Sequence, residues 1–179
     1  MADQLIHLDK ALRLWVVTHR LGVLDPVMWA VSVVGRSGIV WLATGTALAI
    51  ARRIRPSGLL QLVLAILVAL LVADYVLKPL IGRERPFSAA PAVRVIGGRP
   101  EDPSFPSGHA ASAFAGAYVL SRAIPAGRLV WWVIALTIVY SRVYLGVHYP
   151  LDVIGGAAVG WLCGIAVQRV ASRVDPAPN

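Results

Sequence analysis

The chain is 179 residues long, 58% hydrophobic, with a mean hydropathy of +0.70 and a formal net charge of +8. Such apolarity excludes an ordinary soluble domain, and the length fits one compact membrane domain over residues 1–179. The positive charge does not point to nucleic acid, because the basic residues gather at the ends of apolar segments and in three short polar motifs.

The N-terminus carries Asp3 and Asp9 and lacks a basic region followed by a clean apolar core, so no cleavable leader is expected. From Leu5 to His19, the residues Leu5, Leu8, Leu12, Trp15 and Val16 share a helical face, with Asp9, Lys10, Arg13 and Arg20 largely elsewhere. This pattern predicts an amphipathic helix in the membrane interface within residues 1–25. Residues 26–35 read as a short helix leading into a first span at residues 39–50. Gly35-Arg36-Ser37-Gly38 separates the two, since an arginine is costly in lipid and glycine weakens a helix. Four further apolar stretches, Leu59 to Leu77, Ala110 to Ala123, Leu129 to Tyr144 and Leu151 to Val170, meet or approach the roughly 20 residues a crossing needs. The expected fold is an all-α integral membrane bundle of five transmembrane helices, or six if the N-terminal segment also crosses.

Between the spans, residues 87–105 contain Pro91, Gly97, Gly98, Pro100 and Pro103, which predicts an irregular loop over the mouth of a site. Gly156, Gly160 and Gly164 recur every four residues, as do Gly108, Ser112 and Gly116, which predicts close helix packing on both faces. The single cysteine, Cys163, cannot form an intrachain disulfide and is expected to pack as a small hydrophobe. Residues 172–179 read as a short tail.

Five crossings place the connection from Lys78 to His109 on the same side as that from Arg142 to Asp152. Arg52, Arg53, Arg55, Arg122, Arg128, Arg169 and Arg173 fall on the other side, which the positive-inside tendency makes cytoplasmic. The bias is incomplete. Arg83, Arg94 and Arg99 lie on the motif side, and phosphate binding accounts for Lys78 and Arg85 but not for these.

The polar residues of that side suit phosphate chemistry. Arg85 and Arg142 offer paired planar donors and Lys78 a point charge, the groups that neutralise a phosphate ester. Each alone would read as a snorkelling helix-end residue. Ser107 reads both as an N-cap and as a phosphate-binding residue, Gly108 leaves backbone N–H groups open to the same anion, and His109 stands one residue into the helix, placed to protonate a leaving oxygen. His148 and Asp152 flank Pro150 at the start of a helix, so the carboxylate can reach the imidazole and fix its tautomer. Asp74, four residues before Lys78, either pairs with it or serves helix packing. Two histidines and an aspartate also suit a metal, but a cation would compete with Lys78, Arg85 and Arg142, so no metal or cofactor is expected.

The pattern K-x6-R-P, P-S-G-H, S-R-x5-H-x3-D, filled by Lys78, Arg85, Pro86, Pro106, Ser107, Gly108, His109, Ser141, Arg142, His148 and Asp152, resembles the signature of the type-2 phosphatidic acid phosphatase family. The resemblance implies metal-independent hydrolysis, with His148 as the nucleophile that forms a phosphohistidine and His109 as the general acid. It implies a lipid phosphate as substrate, the bilayer as partner, and a place in the bacterial cytoplasmic membrane, where the loop charges above put the site on the outer face. Undecaprenyl diphosphate, phosphatidylglycerol phosphate and phosphatidic acid are the candidates, with a slight preference for a polyprenyl diphosphate. A vanadate-dependent haloperoxidase shares the signature, but that group is typically soluble. A lipid-phosphate transporter or binding protein would not need the two histidines.

Overall fold

The computed structural model describes residues 2–90 and 93–174; Pro91 and residues 175–179 of the tail lie outside them. Among the described residues all regular structure is helical, in the order α1 (Ala2–Thr18), α2 (Asp25–Gly35), α3 (Ile39–Ile50), α4 (Pro56–Leu70), α5 (Lys78–Ile81), α6 (Pro86–Ala89), α7 (Gly108–Ala123), α8 (Arg128–Tyr144) and α9 (Pro150–Val174). Four helical runs are long and apolar enough to cross a membrane: Gly22–Ile50, Pro56–Ala89, Pro125–Tyr144 and Pro150–Arg173. The helix α7, at 16 residues, is shorter than these.

The bundle is built around α7. Ala110, Ala111, Ala113, Ala115 and Ala117 are fully buried there, because their small side chains let α4, α8 and α9 approach from all sides. Leu60, Leu67, Leu71, Leu129, Leu136, Ile154 and Leu162 point outward and are exposed, the reverse of a soluble domain and the arrangement that lipid favours. Both small-residue faces serve packing. A Cβ on Gly160 would overlap the Ala111 carbonyl, one on Gly156 the Ser107 carbonyl, and one on Gly116 the Trp41 ring. Gly160→Leu should therefore lower the thermal midpoint of the purified protein by roughly 5–10 °C, from overpacking on the order of 3 kcal/mol. A midpoint within a degree of wild type would contradict this docking.

Two irregularities aim residues at one end of the bundle. Between α2 and α3 the chain turns through Arg36–Gly38, where Ser37 and Gly38 adopt positive φ of 52° and 76°. The expected break is therefore present, with α2 and α3 joined across a kink at non-helical Ser37, and Arg36 lines a cavity. Below α4, residues Leu71–Leu77 form a π-helical turn before α5. Such turns commonly occur at functional sites, and this one carries Asp74 and leads directly into Lys78.

In α1 the apolar residues Leu5, Leu8, Leu12 and Trp15 are exposed. Its polar face differs from the expectation. Asp9 and Arg13 are almost completely buried against the rest of the protein, because buried hydrogen-bonding groups near α9 receive them.

Candidate active site

Seven of the residues singled out in the sequence, Asp74, Lys78, Arg85, Gly108, His109, Arg142 and His148, line one cavity of about 470 Å³. They arrive from the π-helical turn, the starts of α5, α6 and α7, the end of α8 and the α8–α9 loop. Asp152, Ser107, Ser141, Pro86 and Pro106 stand behind the wall, fully buried or nearly so. Ser107 caps α7, with Ala110 N–H reaching its Oγ at 3.5 Å, while its own N–H donates to the Asp152 carbonyl at 2.9 Å. Because Gly156 lets that turn approach closely, the starts of α7 and α9 are locked together. Ser141 Oγ donates to the Ile138 carbonyl at 2.6 Å and faces its own helix.

Asp152 organises the imidazole. Its Oδ2 accepts from the Tyr149 N–H at 2.8 Å and from the Ser104 hydroxyl, and lies 3.4 Å from His148 Nδ1. A proton on Nδ1 facing this carboxylate leaves the lone pair on Nε2, which lies 3.3 Å from Arg85 Nη1. Burial pushes the His148 imidazole from an ordinary 6.5 down to about 4, with the charges of Arg85 and Arg142 acting in the same direction against the Asp152 hydrogen bond. The ring is neutral at physiological pH, as a nucleophile or base must be. The unfolded chain takes up this proton near 6.5 and the folded one only near 4, so stability from the neutral ring is complete above pH 6.5 and lost as pH falls to 4. Thermal midpoints measured from pH 8 to 4 should therefore fall more steeply for wild type than for His148→Gln; parallel curves would contradict a neutral buried ring.

The cations differ in how they are held. Lys78 pairs with Asp74 at 2.5 Å, the pairing considered from their spacing, and also with Asp102. Arg85 donates to Asp102 Oδ1 at 2.9 Å and to the Val147 carbonyl at 2.9 Å. Arg142 donates to Ser32 Oγ, and its buried Nε has no partner among the described residues. At Gly108 a Cβ would stand 2.6 Å from Asp74 Oδ1, so any larger residue there would displace the Asp74 carboxylate.

Sequence reasoning missed five participants. Asp102 lies in the expected loop over the site mouth; burial raises its carboxyl, but the hydrogen bond from Lys78 and the charge of Arg85 outweigh this and hold it below its usual value. Ser104 and Ser32, a loop and a helix serine, gave no signal. Arg83 was left over after the phosphate contacts were assigned. Arg36 did carry a signal, as an ionisable residue inside an apolar stretch.

A cavity lined by five cationic side chains, Lys78, Arg85 and Arg142 among them, and two histidines, at one end of apolar helices, defines a membrane-embedded phosphatase. The profile of the PAP2 superfamily matches residues 58–175, and the chain belongs to that family. It is 34% identical over 152 residues to the undecaprenyl-diphosphatase of Sulfolobus acidocaldarius, covering 84% of this chain and 72% of that protein. The crystal structure of Aquifex aeolicus LpxE superposes with a TM-score of 0.78 at 31% identity, over 89% of this chain and 93% of that one. The PAP2-type phosphatidylglycerolphosphate phosphatase of Bacillus subtilis gives 0.76 at 28% identity, over 98% and 90%. The protein is an integral membrane lipid phosphatase.

Proposed function

We propose that the protein removes the terminal phosphate of a polyprenyl diphosphate, with residues 1–179 acting as one catalytic domain. Supporting this reading above all is the meeting of a neutral His148, backed by Asp152, with Arg85, Arg142, Lys78 and His109 around one cavity. His148 Nε2 attacks phosphorus while the bond to the leaving oxygen breaks, and His109 donates a proton to that oxygen. Lys78, Arg85, Arg142 and the N–H groups at Gly108 and beyond hold the phosphoryl oxygens, with Ser107 and Ser141 keeping the two helix ends in place. Water then attacks the phosphohistidine, giving its proton to His109, and inorganic phosphate leaves. A phosphate entering between Lys78 and Arg85 competes with the Asp102 carboxylate already bound there. No step calls for a metal or other cofactor.

The preference for a polyprenyl diphosphate draws support from the Sulfolobus relative, whose name carries that activity. Purified protein offered undecaprenyl diphosphate, phosphatidylglycerol phosphate and phosphatidic acid under chelator should release phosphate fastest from the first. Faster release from either glycerolipid would overturn the substrate assignment, and activity restored only by a divalent ion would overturn the mechanism.

We further propose five crossings, α7 being the one too short to qualify by length, with α1 lying in the interface. Arg53, Arg55, Arg122 and Arg169 line a second cleft at the opposite ends of α4, α7 and α9, which supports a cytoplasmic placement of that end and an outward-facing site in a bacterial cytoplasmic membrane.

A further inference from the structure

The catalytic carboxylate has a second oxygen, and it is not idle. Asp152 Oδ1 receives Arg83 Nη1 at 2.6 Å, and the same guanidinium sends Nη2 to Asp9 Oδ2 at 2.5 Å. The Arg83 guanidinium carbon also lies 4.2 Å from the centre of the Tyr149 ring, which fixes its plane. Asp9, on α1, accepts through its other oxygen from the Leu151 N–H at 2.8 Å. That N–H belongs to the first turn of α9, where Pro150 has no N–H of its own and Leu151 has no intrahelical acceptor. Asp9 therefore caps the very turn that carries Asp152, from a helix about 140 residues away in sequence, and clamps the arginine that holds Asp152.

We infer that Arg83 and Asp9 are positioning residues for the reaction, a bridge through which the N-terminal helix sets the orientation of the Asp152–His148 pair. Three observations support it. Asp9 and Asp152 side chains are 1% and 0% exposed, so their charges face a guanidinium and not water. Two buried carboxylates would repel without a cation between them, and Arg83 supplies a planar fork that engages one oxygen of each. Arg83 does not line the catalytic cavity, so it acts on substrate only through Asp152. Its place opposite the polar face of α1 also explains why Asp9 is turned inward while the apolar residues of that helix face out.

The inference rests on the assignment of His148 as nucleophile, and the test separates the two. Phosphate release from farnesyl diphosphate and from p-nitrophenyl phosphate is measured for wild type, His148→Ala, Arg83→Gln, Arg83→Lys, Asp9→Asn and the double variant Asp9→Asn/Arg83→Gln, each checked for a monodisperse, cooperatively unfolding product. Arg83→Gln should lower kcat roughly 10- to 100-fold with KM within about twofold, and Asp9→Asn roughly 10-fold, the range seen when an outer partner of a catalytic ligand is lost. Arg83→Lys keeps a charge near both carboxylates and should recover part of the loss. The double variant should be no slower than Arg83→Gln, because both changes break one bridge. A kcat within twofold of wild type for a folded Arg83→Gln, a loss confined to KM, or losses that multiply would each overturn the inference. Should Arg83→Gln fail to fold, the Asp9→Asn and Arg83→Lys kinetics decide by the same criteria. Turnover by His148→Ala, or none by wild type on either compound, would instead overturn the underlying catalytic reading.

Discussion

Replacing His148 by Ala should reduce phosphate release by at least ~10³-fold while leaving the protein membrane-inserted and folded. Among the described residues, no other imidazole on the cavity wall is backed by a carboxylate. Lys78 and Arg85 are bound to Asp102, Arg142 is a cation, and His109 sits at the start of α7 without a carboxylate partner among the described residues. The imidazole is buried, neutral and held by Asp152, so removing it deletes the attacking atom and leaves only electrostatic and positional effects. The residual rate of a nucleophile-less enzyme reflects those effects alone. Substantial release by His148→Ala would show that water attacks directly.

Asp152→Asn should cost about 10³- to 10⁴-fold in kcat, with little change in apparent affinity. The carboxylate accepts from the Tyr149 N–H, the Ser104 hydroxyl and Arg83 while facing His148 Nδ1. An amide has one acceptor oxygen, so one of these donors must meet an NH₂ group instead. If the NH₂ faces the ring, the imidazole presents the wrong tautomer, with its proton on Nε2, where the attacking lone pair is required; loss of this kind lowers kcat by about four orders of magnitude in a serine-protease triad. If it faces Arg83, two donors collide in a buried site. A change confined to KM, measured by steady-state phosphate release, would assign Asp152 to substrate binding.

The sequence carried the site further than it carried the fold. The spacing of Lys78, Arg85, His109, Arg142 and His148 named residues that line one cavity, and that of Asp152 the carboxylate beside His148, because each sits near a helix end. The Ser107 cap and the packing glycines were legible for the same local reason, being properties of single turns. The break at Ser37 was visible as a glycine-flanked arginine, and α2 and α3 end and begin on either side of it. What remained hidden depends on contacts distant in sequence. Asp9 looked like part of a wet helix face, and only the approach of α1 to the start of α9 shows what its charge meets. Arg83 looked surplus for the same reason, and Asp102 was one polar residue in a Pro- and Gly-rich loop. The π-helical turn has no composition signal, yet it governs how Asp74 and Lys78 face the cavity.

The central claim is that phosphate passes through His148, and the most direct measurement is chemical. Purified protein is mixed with a polyprenyl diphosphate labelled in its terminal phosphate, quenched within milliseconds in base, digested and sequenced by mass spectrometry. Label that is stable to base, labile to acid and located on the imidazole of position 148 is the predicted result. Label on any other residue, or turnover with no covalent phosphate at any quench time while labelled phosphate accumulates linearly, would contradict it.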